Sequence, residues 1–245
     1  MCFTLAQKMK AHLFSYPLVA LDDEDLPCGI GSGCMIDVEG KRLLLGVSHV
    51  AKKPKRWSIH LEYVVGKGAK NYVFGAPTYL AKYDFNSGQV KDCDFFCVEI
   101  PCDLVGKHQK VVGISAIESE ETKLVFTLDQ IAGIASDVDY SFFGLVMPEL
   151  CGQFFECHPT HCEGLRFERD DDVQVVFKLD GEHPGHDFFK GCSGAPIIDG
   201  EGSLVALVTG GNDGVDELYA FPLKPFVSAI STCLLYTSPS PRDRG

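Results

Sequence analysis

Positive charge is scarce in this sequence. Its 22 Lys and Arg residues stand against 34 Asp and Glu residues, which gives a net charge of −12. Because phosphate binding needs a basic face, this balance argues against nucleic acid as the main partner. The sequence also lacks an apolar run long enough to cross a bilayer, and its N-terminus lacks the features of a signal peptide. We therefore expect neither nucleic acid nor a membrane to be the main partner.

Disulfides are also not expected. The sequence has 11 cysteines, an odd number, and no secretory signal precedes them. Thiols in the cytosol are kept reduced, so this pattern predicts mostly reduced cysteines in a cytoplasmic protein.

Long helical periodicity is nearly missing, and only Leu223–Ile230 is predicted to be helical. Short runs of Val, Ile, Leu and Phe instead recur between Gly, Pro and Asp residues, which is typical of many short strands. Tight turns are predicted at Val38-Glu-Gly-Lys and Asp199-Gly-Glu-Gly. The pattern favours an all-β barrel or sandwich architecture.

The chain divides most naturally near the charged stretch between Gly113 and Glu121. We predict an N-terminal β unit over residues 1–115 and a C-terminal one over 116–232. The last residues, 233–245, resemble a translated sequencing adapter and are interpreted as a non-native tail; the alternative is a native, disordered Ser/Pro-rich tail.

Two adjacent residues are candidate nucleophiles. Cys192 and Ser193 lie between glycines in the stretch G-C-S-G-A-P. Either would need a base within hydrogen-bond reach and a third group that orients the base. His49 follows an apolar strand in L-L-L-G-V-S-H-V and is the candidate base. Asp94 opens the apolar run D-F-F-C-V-E-I and is preferred as the third group, with Asp92 as its main competitor.

Three segments resemble the signature blocks of trypsin-like serine peptidases. They are the run from Gly31 to Val50 that contains His49, the run D-F-F-C-V-E-I, and G-C-S-G-A-P. The order His49, Asp94, Ser193 and the spacings of 45 and 99 residues are both typical of that family.

The resemblance implies two packed six-stranded antiparallel β-barrels of the chymotrypsin fold, with a short C-terminal helix and a site between the barrels. It implies Ser193 as the nucleophile, His49 as the general base and Asp94 as the residue that fixes the imidazole tautomer. The backbone N–H groups of Gly191 and Ser193 are implied as the oxyanion hole. The function expected is that of a serine endopeptidase that needs no cofactor or metal.

The resemblance also indicates substrate-binding residues. Thr209, Gly210 and Gly211 match the strand that pairs with an extended substrate backbone. Asp187 lies six residues before Ser193, where the trypsin branch keeps the carboxylate that selects Arg or Lys. The surrounding loop does not otherwise resemble trypsin, so a surface role for Asp187 stays open.

Three alternatives remain open at this point. Cys192 could attack, as the cysteine does in viral chymotrypsin-like proteases, although there the Cys itself precedes the Gly. The fold could serve as an inactive protein-binding module. The segment from Cys151 to Cys162 holds three Cys and two His residues; zinc is conceivable there, but a loop with incidental thiols is favoured because the spacing matches no usual finger pattern.

Overall fold

Strands dominate the architecture. The computed structural model describes residues 11–52, 56–85, 87–112, 116–151, 154–183, 185, 189–212 and 214–237. In chain order the elements are α1 (Ala11–Phe14), β1 (Tyr16–Leu21), β2 (Pro27–Val38), β3 (Lys41–Gly46), α2 (Ser48–Ala51), β4 (Arg56–Val64), β5 (Gly68–Val73), β6 (Thr78–Asp84), β7 (Gln89–Ile100), β8 (Lys107–Val112), β9 (Ala116–Thr122), β10 (Phe126–Thr127), a 3₁₀ turn (Leu128–Gln130), β11 (Asp139–Cys151), β12 (Phe154–Asp171), β13 (Gln174–Lys178), β14 (Pro196–Asp199), β15 (Leu204–Gly211), β16 (Glu217–Pro222), a second 3₁₀ turn (Lys224–Phe226) and α3 (Val227–Thr237).

The first half of the chain forms one large sheet. Its strand order is β5-β4-β1-β2-β3-β7-β6, and β10 pairs with β2 in parallel. The β2–β3 hairpin turns through Glu39 and Gly40, whose φ angles are 50° and 79°. Positive φ at both central residues gives a backbone twist that matches the flanking strands, so the turn predicted at Val38-Glu-Gly-Lys is confirmed.

The second half of the chain forms a closed antiparallel barrel. Its strands follow one another in the order β11-β12-β13-β16-β15-β14. The predicted helix near the end is confirmed, with a 3₁₀ turn over Lys224–Phe226 before α3 begins at Val227. The molecule is therefore an all-β protein of the chymotrypsin type with a short C-terminal helix.

Apolar side chains join the two halves. Phe95 on β7 stacks on Phe221 of β16, with ring centroids 4.9 Å apart. Leu204 and Leu207 of the barrel belong to the same buried cluster as the first sheet, and so does Ile230 of α3. Burial of this kind of surface contributes roughly 25 cal/mol per Å², so the shared core fixes how the barrel lies against the sheet.

The cysteine- and histidine-rich segment is not a loop, so that expectation is wrong. It forms the end of β11 and the start of β12, where Val146 pairs with His158 and Phe142 with Cys162. Successive side chains on a strand point to opposite faces, which separates Cys157 from His158. Within the described ranges, no group of three His, Cys, Asp or Glu side chains could hold a metal ion.

No helix among the described residues has both the length and the apolar content needed to cross a membrane.

Candidate active site

Helix α2 presents His49 to solvent. The helix follows β3, whose Leu43, Leu44 and Leu45 are buried in the first core. Ser48, Val50 and Ala51 are buried as well, so they anchor the short helix against the sheet. His49 is the exposed member of this helix, and 46% of its side chain is accessible. Its imidazole can therefore meet a substrate.

A β-bulge aims Asp94 at that imidazole. Leu80 of β6 pairs with Phe95, whereas the next residue, Ala81, pairs with Asp92. Cys93 and Asp94 are the extra residues on β7, and Asp94 has a left-handed φ of 51°. A bulge bends its strand and redirects a side chain, and a short polar residue tolerates positive φ better than an apolar one.

The Asp94 carboxylate holds His49 through the ring and the backbone. Asp94 Oδ2 lies 2.7 Å from His49 Nδ1, and Oδ1 accepts the His49 backbone N–H at 2.9 Å. The Ser48 hydroxyl donates to the same Oδ1 at 2.9 Å. Burial by itself raises the pKa of Asp94, but the hydrogen bonds from His49 and Ser48 outweigh it, so the pKa lies below its usual value.

The ionised carboxylate decides which ring nitrogen carries the proton. An ionised carboxylate can only accept, so His49 Nδ1 must be the protonated nitrogen of the neutral ring. Nε2 is then the acceptor, which is the arrangement that a general base needs.

Asp92, the competitor, contacts a different part of the site. Its Oδ1 accepts the Asp94 backbone N–H at 2.9 Å and lies 3.4 Å from the Ser48 hydroxyl. Its other oxygen pairs with Lys52. Nearly half of the Asp92 side chain, 47%, is exposed. Asp92 thus stabilises the bulge through the Asp94 backbone N–H. Among the described contacts, Asp94 supplies the carboxylate that hydrogen-bonds to His49.

The loop that carries Ser193 needs its glycines. Gly191 and Gly194 have φ angles of 108° and 89°, which side chains rarely adopt. A Cβ atom on Gly191 would overlap the Leu145 carbonyl oxygen, and one on Gly194 would overlap that of Ser32. The G-C-S-G spacing is therefore required by the close packing of this loop.

Strand β2 of the first sheet clamps the same loop. The Ser32 backbone N–H donates to the Ser193 carbonyl at 2.8 Å, and the Ser32 hydroxyl donates to the Gly191 carbonyl at 2.7 Å. On the barrel side, the Gly194 N–H donates to the Val208 carbonyl at 2.7 Å. Ser193 is thus held between the two halves of the molecule.

The Ser193 loop and helix α2 meet at Gly31. A Cβ atom on Gly31 would lie 2.7 Å from Val50, the neighbour of His49, and 3.6 Å from the Ser193 carbonyl oxygen. Within the described part of the chain, no hydrogen bond joins the Ser193 hydroxyl to the His49 ring. Such bonds are often long without substrate and tighten once it binds.

The loop also carries the backbone donors considered for an oxyanion. The N–H groups of Gly191 and Ser193 have no acceptor among the described residues, while the intervening Cys192 N–H donates to Phe189 at 2.9 Å. The described part of the fold therefore leaves both flanking donors unused.

Cys192 points away from solvent. Its side chain is fully buried in the core of the barrel, where its Sγ lies against Gly144. Burial raises the pKa of this thiol far above its usual value. Since the thiolate is the reactive form, the environment of Cys192 is that of an inert core residue.

A pocket opens beside Ser193. Together with the open solvent in front of it, its empty space is about 280 Å³. Its lining residues are His183, Phe189, Ser193, Val208, Gly210, Gly211 and Leu218. His183 was not anticipated from the sequence; its position in the run H-P-G-H-D, shortly before the nucleophile, was the only available signal.

Of the expected substrate-binding residues, Gly210 and Gly211 line this pocket at the end of β15. On one side they pair with Tyr219 and Leu218, whereas β14 pairs with β15 only as far as Leu207. Thr209 is buried at the bulge between Val208 and Gly210. Its hydroxyl has no hydrogen-bond partner within the described residues. Asp187 lies outside the described residues.

Comparison with known proteins shows the fold. No protein-family model matches the chain, and no curated protein does. Human heparin binding protein matches 95% of this chain and 96% of its own, with 11% identity and a TM-score of 0.59. Neuropsin, a serine protease of mouse brain, matches 93% and 97%, with 11% identity and a TM-score of 0.56. The MamO protease domain of Magnetospirillum magneticum matches 90% and 97%, with 13% identity and a TM-score of 0.50. The chain thus shares the chymotrypsin fold with these proteins.

Proposed function

We propose that this protein is a serine endopeptidase that hydrolyses peptide bonds through an acyl-enzyme intermediate. The observation that supports this most directly is the 2.7 Å contact between His49 Nδ1 and Asp94 Oδ2, beside a glycine-flanked loop that carries Ser193. The fold, which the protein shares with a serine protease, supports the same proposal.

In the proposed reaction, Ser193 Oγ attacks the carbonyl carbon of the scissile peptide while His49 Nε2 takes the hydroxyl proton. The imidazolium is stabilised by Asp94. It then protonates the leaving amine as the C–N bond breaks, which leaves an ester on Ser193. A water molecule attacks that ester with His49 again acting as base, and the acid product leaves.

The negative oxygen of the tetrahedral intermediate would be held by the N–H groups of Gly191 and Ser193. Removal of one such donor typically costs about 2.7–4 kcal/mol of transition-state stabilisation. The substrate backbone would add to β15 along Thr209, Gly210 and Gly211, with which β14 does not pair in the described part of the chain.

A fluorophosphonate probe tests this function, because it reacts covalently with an activated serine. We expect the wild-type protein to be labelled, and both Ser193→Ala and His49→Ala to lose the label. Ser228→Ala, at an exposed serine of α3, is the matched control and should label as the wild type does. Absence of labelling in the folded wild-type protein would refute the proposal.

The second candidate is an inactive fold that binds proteins. It is favoured by the lack of a hydrogen bond between Ser193 and His49 in the described residues. One protein of the same fold is named for heparin binding, but a net charge of −12 does not suit a polyanion. This candidate predicts no labelling and no peptide cleavage, together with saturable binding of a partner protein.

We further propose that the protein works in a reducing compartment such as the cytoplasm. Cys34, Cys93 and Cys192 are buried thiols that form no disulfide. Alkylation of unfolded protein taken directly from cells, followed by mass spectrometry, would test this. Modification of these three thiols without prior reduction is expected, and their protection as disulfides would contradict it.

A further inference from the structure

The β6–β7 hairpin carries two lysines directly opposite each other. Lys82 pairs with Lys91 in the antiparallel ladder, so both side chains leave the same face of the hairpin. Like charges in this arrangement repel each other and destabilise the strand pair. These two residues, the lysine pair, are therefore stabilised when an anion lies in front of them.

The barrel supplies that anion. Asp172 lies in the short turn between β12 and β13, and its Oδ2 is 2.7 Å from Lys91 Nζ. Its Oδ1 is 3.3 Å from Lys82 Nζ, so each carboxylate oxygen faces one lysine. The hydrogen bonds from Lys91 and Lys82 hold the pKa of Asp172 below its usual value. The carboxylate is therefore ionised at neutral pH and bridges the lysine pair.

The turn that carries Asp172 lies at the boundary between the two halves of the molecule. Asp172 has a left-handed φ of 55°, which Asp tolerates better than most residues do. The next residue, Val173, packs against the core that the first sheet and the barrel share. The turn therefore meets this boundary with one apolar and one charged side chain, which fixes its position.

The lysine pair lies beside the bulge that presents Asp94. The next pair in the ladder joins Ala81 to Asp92 and borders that bulge, so Lys91 is only three residues from Asp94. A displacement of β7 at Lys91 would reach Asp94 through this short stretch of backbone. It would then reach His49 through the two hydrogen bonds that Asp94 accepts from it.

We propose that Asp172 is a positioning residue: by bridging the lysine pair, it sets where Asp94 and His49 lie relative to Ser193. The proposal rests on the proposed peptidase function. Ser32 of the first sheet holds the Ser193 loop of the barrel. Asp172 of the barrel supplies the converse contact, to the strand that carries Asp94. An exposed ion pair changes stability little, whereas misplacing a catalytic group by about 1 Å can cost about 100-fold in rate. Asp172 therefore affects catalysis more than folding.

The first test removes the charge of Asp172 and keeps its shape. Asp172→Asn should lower kcat for a peptide substrate about ten-fold, because the bridge to β7 is lost. The rate of fluorophosphonate labelling should fall in proportion, while KM and the thermal unfolding midpoint change little. Asp171→Asn is the matched control: it removes the same charge from the neighbouring exposed residue, which pairs with neither lysine among the described ion pairs. This control should keep the wild-type kcat.

Ionic strength gives a readout that a merely structural role would not move. Raising the salt concentration from about 0.1 M to about 1 M shortens the Debye length from about 10 Å to about 3 Å, which screens exposed ion pairs. The kcat of the wild-type protein should fall over this range. Asp172→Asn already lacks the bridge, so its kcat should depend less on salt. Equal salt dependence in the two proteins would overturn the proposal.

An exchange of charges tests the bridge itself. Asp172→Lys places three lysines together and should lower kcat more than Asp172→Asn does. Adding Lys91→Asp to that variant restores two cations and one anion with their places exchanged, and most of the lost kcat should return. Both variants carry Lys at the same positive φ, so backbone strain cancels in the comparison. No recovery in the double variant would contradict the role of the bridge.

The fluorophosphonate label separates failure of this proposal from failure of the proposed function. If the wild-type protein is labelled and Asp172→Asn keeps the wild-type kcat, the role of Asp172 alone is refuted. An equal loss of kcat in Asp171→Asn would refute it as well, because net charge and not the bridge would then be responsible. No labelling of the folded wild-type protein would instead refute the peptidase function.

Discussion

Replacement of Asp94 by Asn tests the proposed mechanism most directly. The carboxylate accepts hydrogen bonds from the Nδ1–H and backbone N–H of His49 and from the hydroxyl of Ser48. Asn has the same shape and tolerates the φ of 51°. Its oxygen can replace the one that faces the backbone N–H and Ser48, but its NH₂ group then faces Nδ1. An amide donor at that point forces the imidazole proton to Nε2, and the ring can no longer accept the proton of Ser193.

The expected loss is large. In a triad protease, the equivalent change lowers kcat by about 10⁴ with the geometry intact. At about 1.36 kcal/mol for each factor of ten, this corresponds to about 5 kcal/mol of transition-state stabilisation. Steady-state hydrolysis of a peptide amide gives kcat, and the rate of fluorophosphonate labelling gives an independent measure of Ser193 activation. Both should fall together, while the thermal unfolding midpoint changes little.

Asp92→Asn is the matched control. Its Oδ1 can still accept the Asp94 N–H, so the substitution weakens only an exposed pair with Lys52, whose side chain is 45% accessible. Exposed pairs contribute about 0–1 kcal/mol, and kcat should stay within about five-fold of wild type. A loss from Asp92→Asn equal to or greater than that from Asp94→Asn would show that the wrong carboxylate has been assigned.

Three further predictions concern the surroundings of the site. Ser32→Ala leaves the buried carbonyl of Gly191 without its 2.7 Å donor. The substitution should lower the free energy of unfolding by about 1–3 kcal/mol in denaturant melts and should reduce kcat. Unchanged values of both quantities would contradict the proposed role of Ser32 in holding the loop. Cys192→Ala should destabilise the barrel core but should still be labelled by the fluorophosphonate. Loss of labelling in a folded variant would instead indicate that the Cys192 thiol is the nucleophile. Burial, and next the nearby His12, lower the pKa of His108 to about 4. The unfolded chain then binds more protons as pH falls from about 6.5 to 4, so stability should fall over that range by less than about 1.4 kcal/mol per pH unit. In urea melts, His108→Asn should reduce the dependence of stability on pH between about 6.5 and 4. An unchanged pH dependence would refute the assignment of this effect to His108.

Local patterns predicted much of the framework. The β2–β3 turn followed from Glu-Gly between two apolar runs, because few residue pairs accept positive φ at both turn positions. The strands around His49 and Asp94 followed from dense Leu and Phe runs. The need for glycine at Gly191 could be anticipated from the motif, although its cause, contact with Leu145, lies in a strand far away in the sequence.

Features that depend on pairing partners were not predictable in the same way. The difference between Asp92 and Asp94 arises from a bulge against β6, and a bulge is set by both strands. The Cys- and His-rich segment contains polar and apolar residues that suit a loop, but pairing within the β11–β12 hairpin makes it a strand. His183 was overlooked because a backbone bond to Val215, 32 residues later, brings it to the pocket.

The hydrogen bonds from Ser32 to the Ser193 loop mean that labelling of Ser193 can report how the two halves of the molecule associate. The loop carrying Ser193 belongs to the barrel, yet its carbonyls are fixed by a residue of the first sheet. If the chain were expressed as two fragments, neither would be expected to present an activated serine. Labelling would recover only as the fragments associate, so its rate would report their dissociation constant. The labelling rate of the Ser193 hydroxyl would then measure how tightly the two fragments bind across their whole interface.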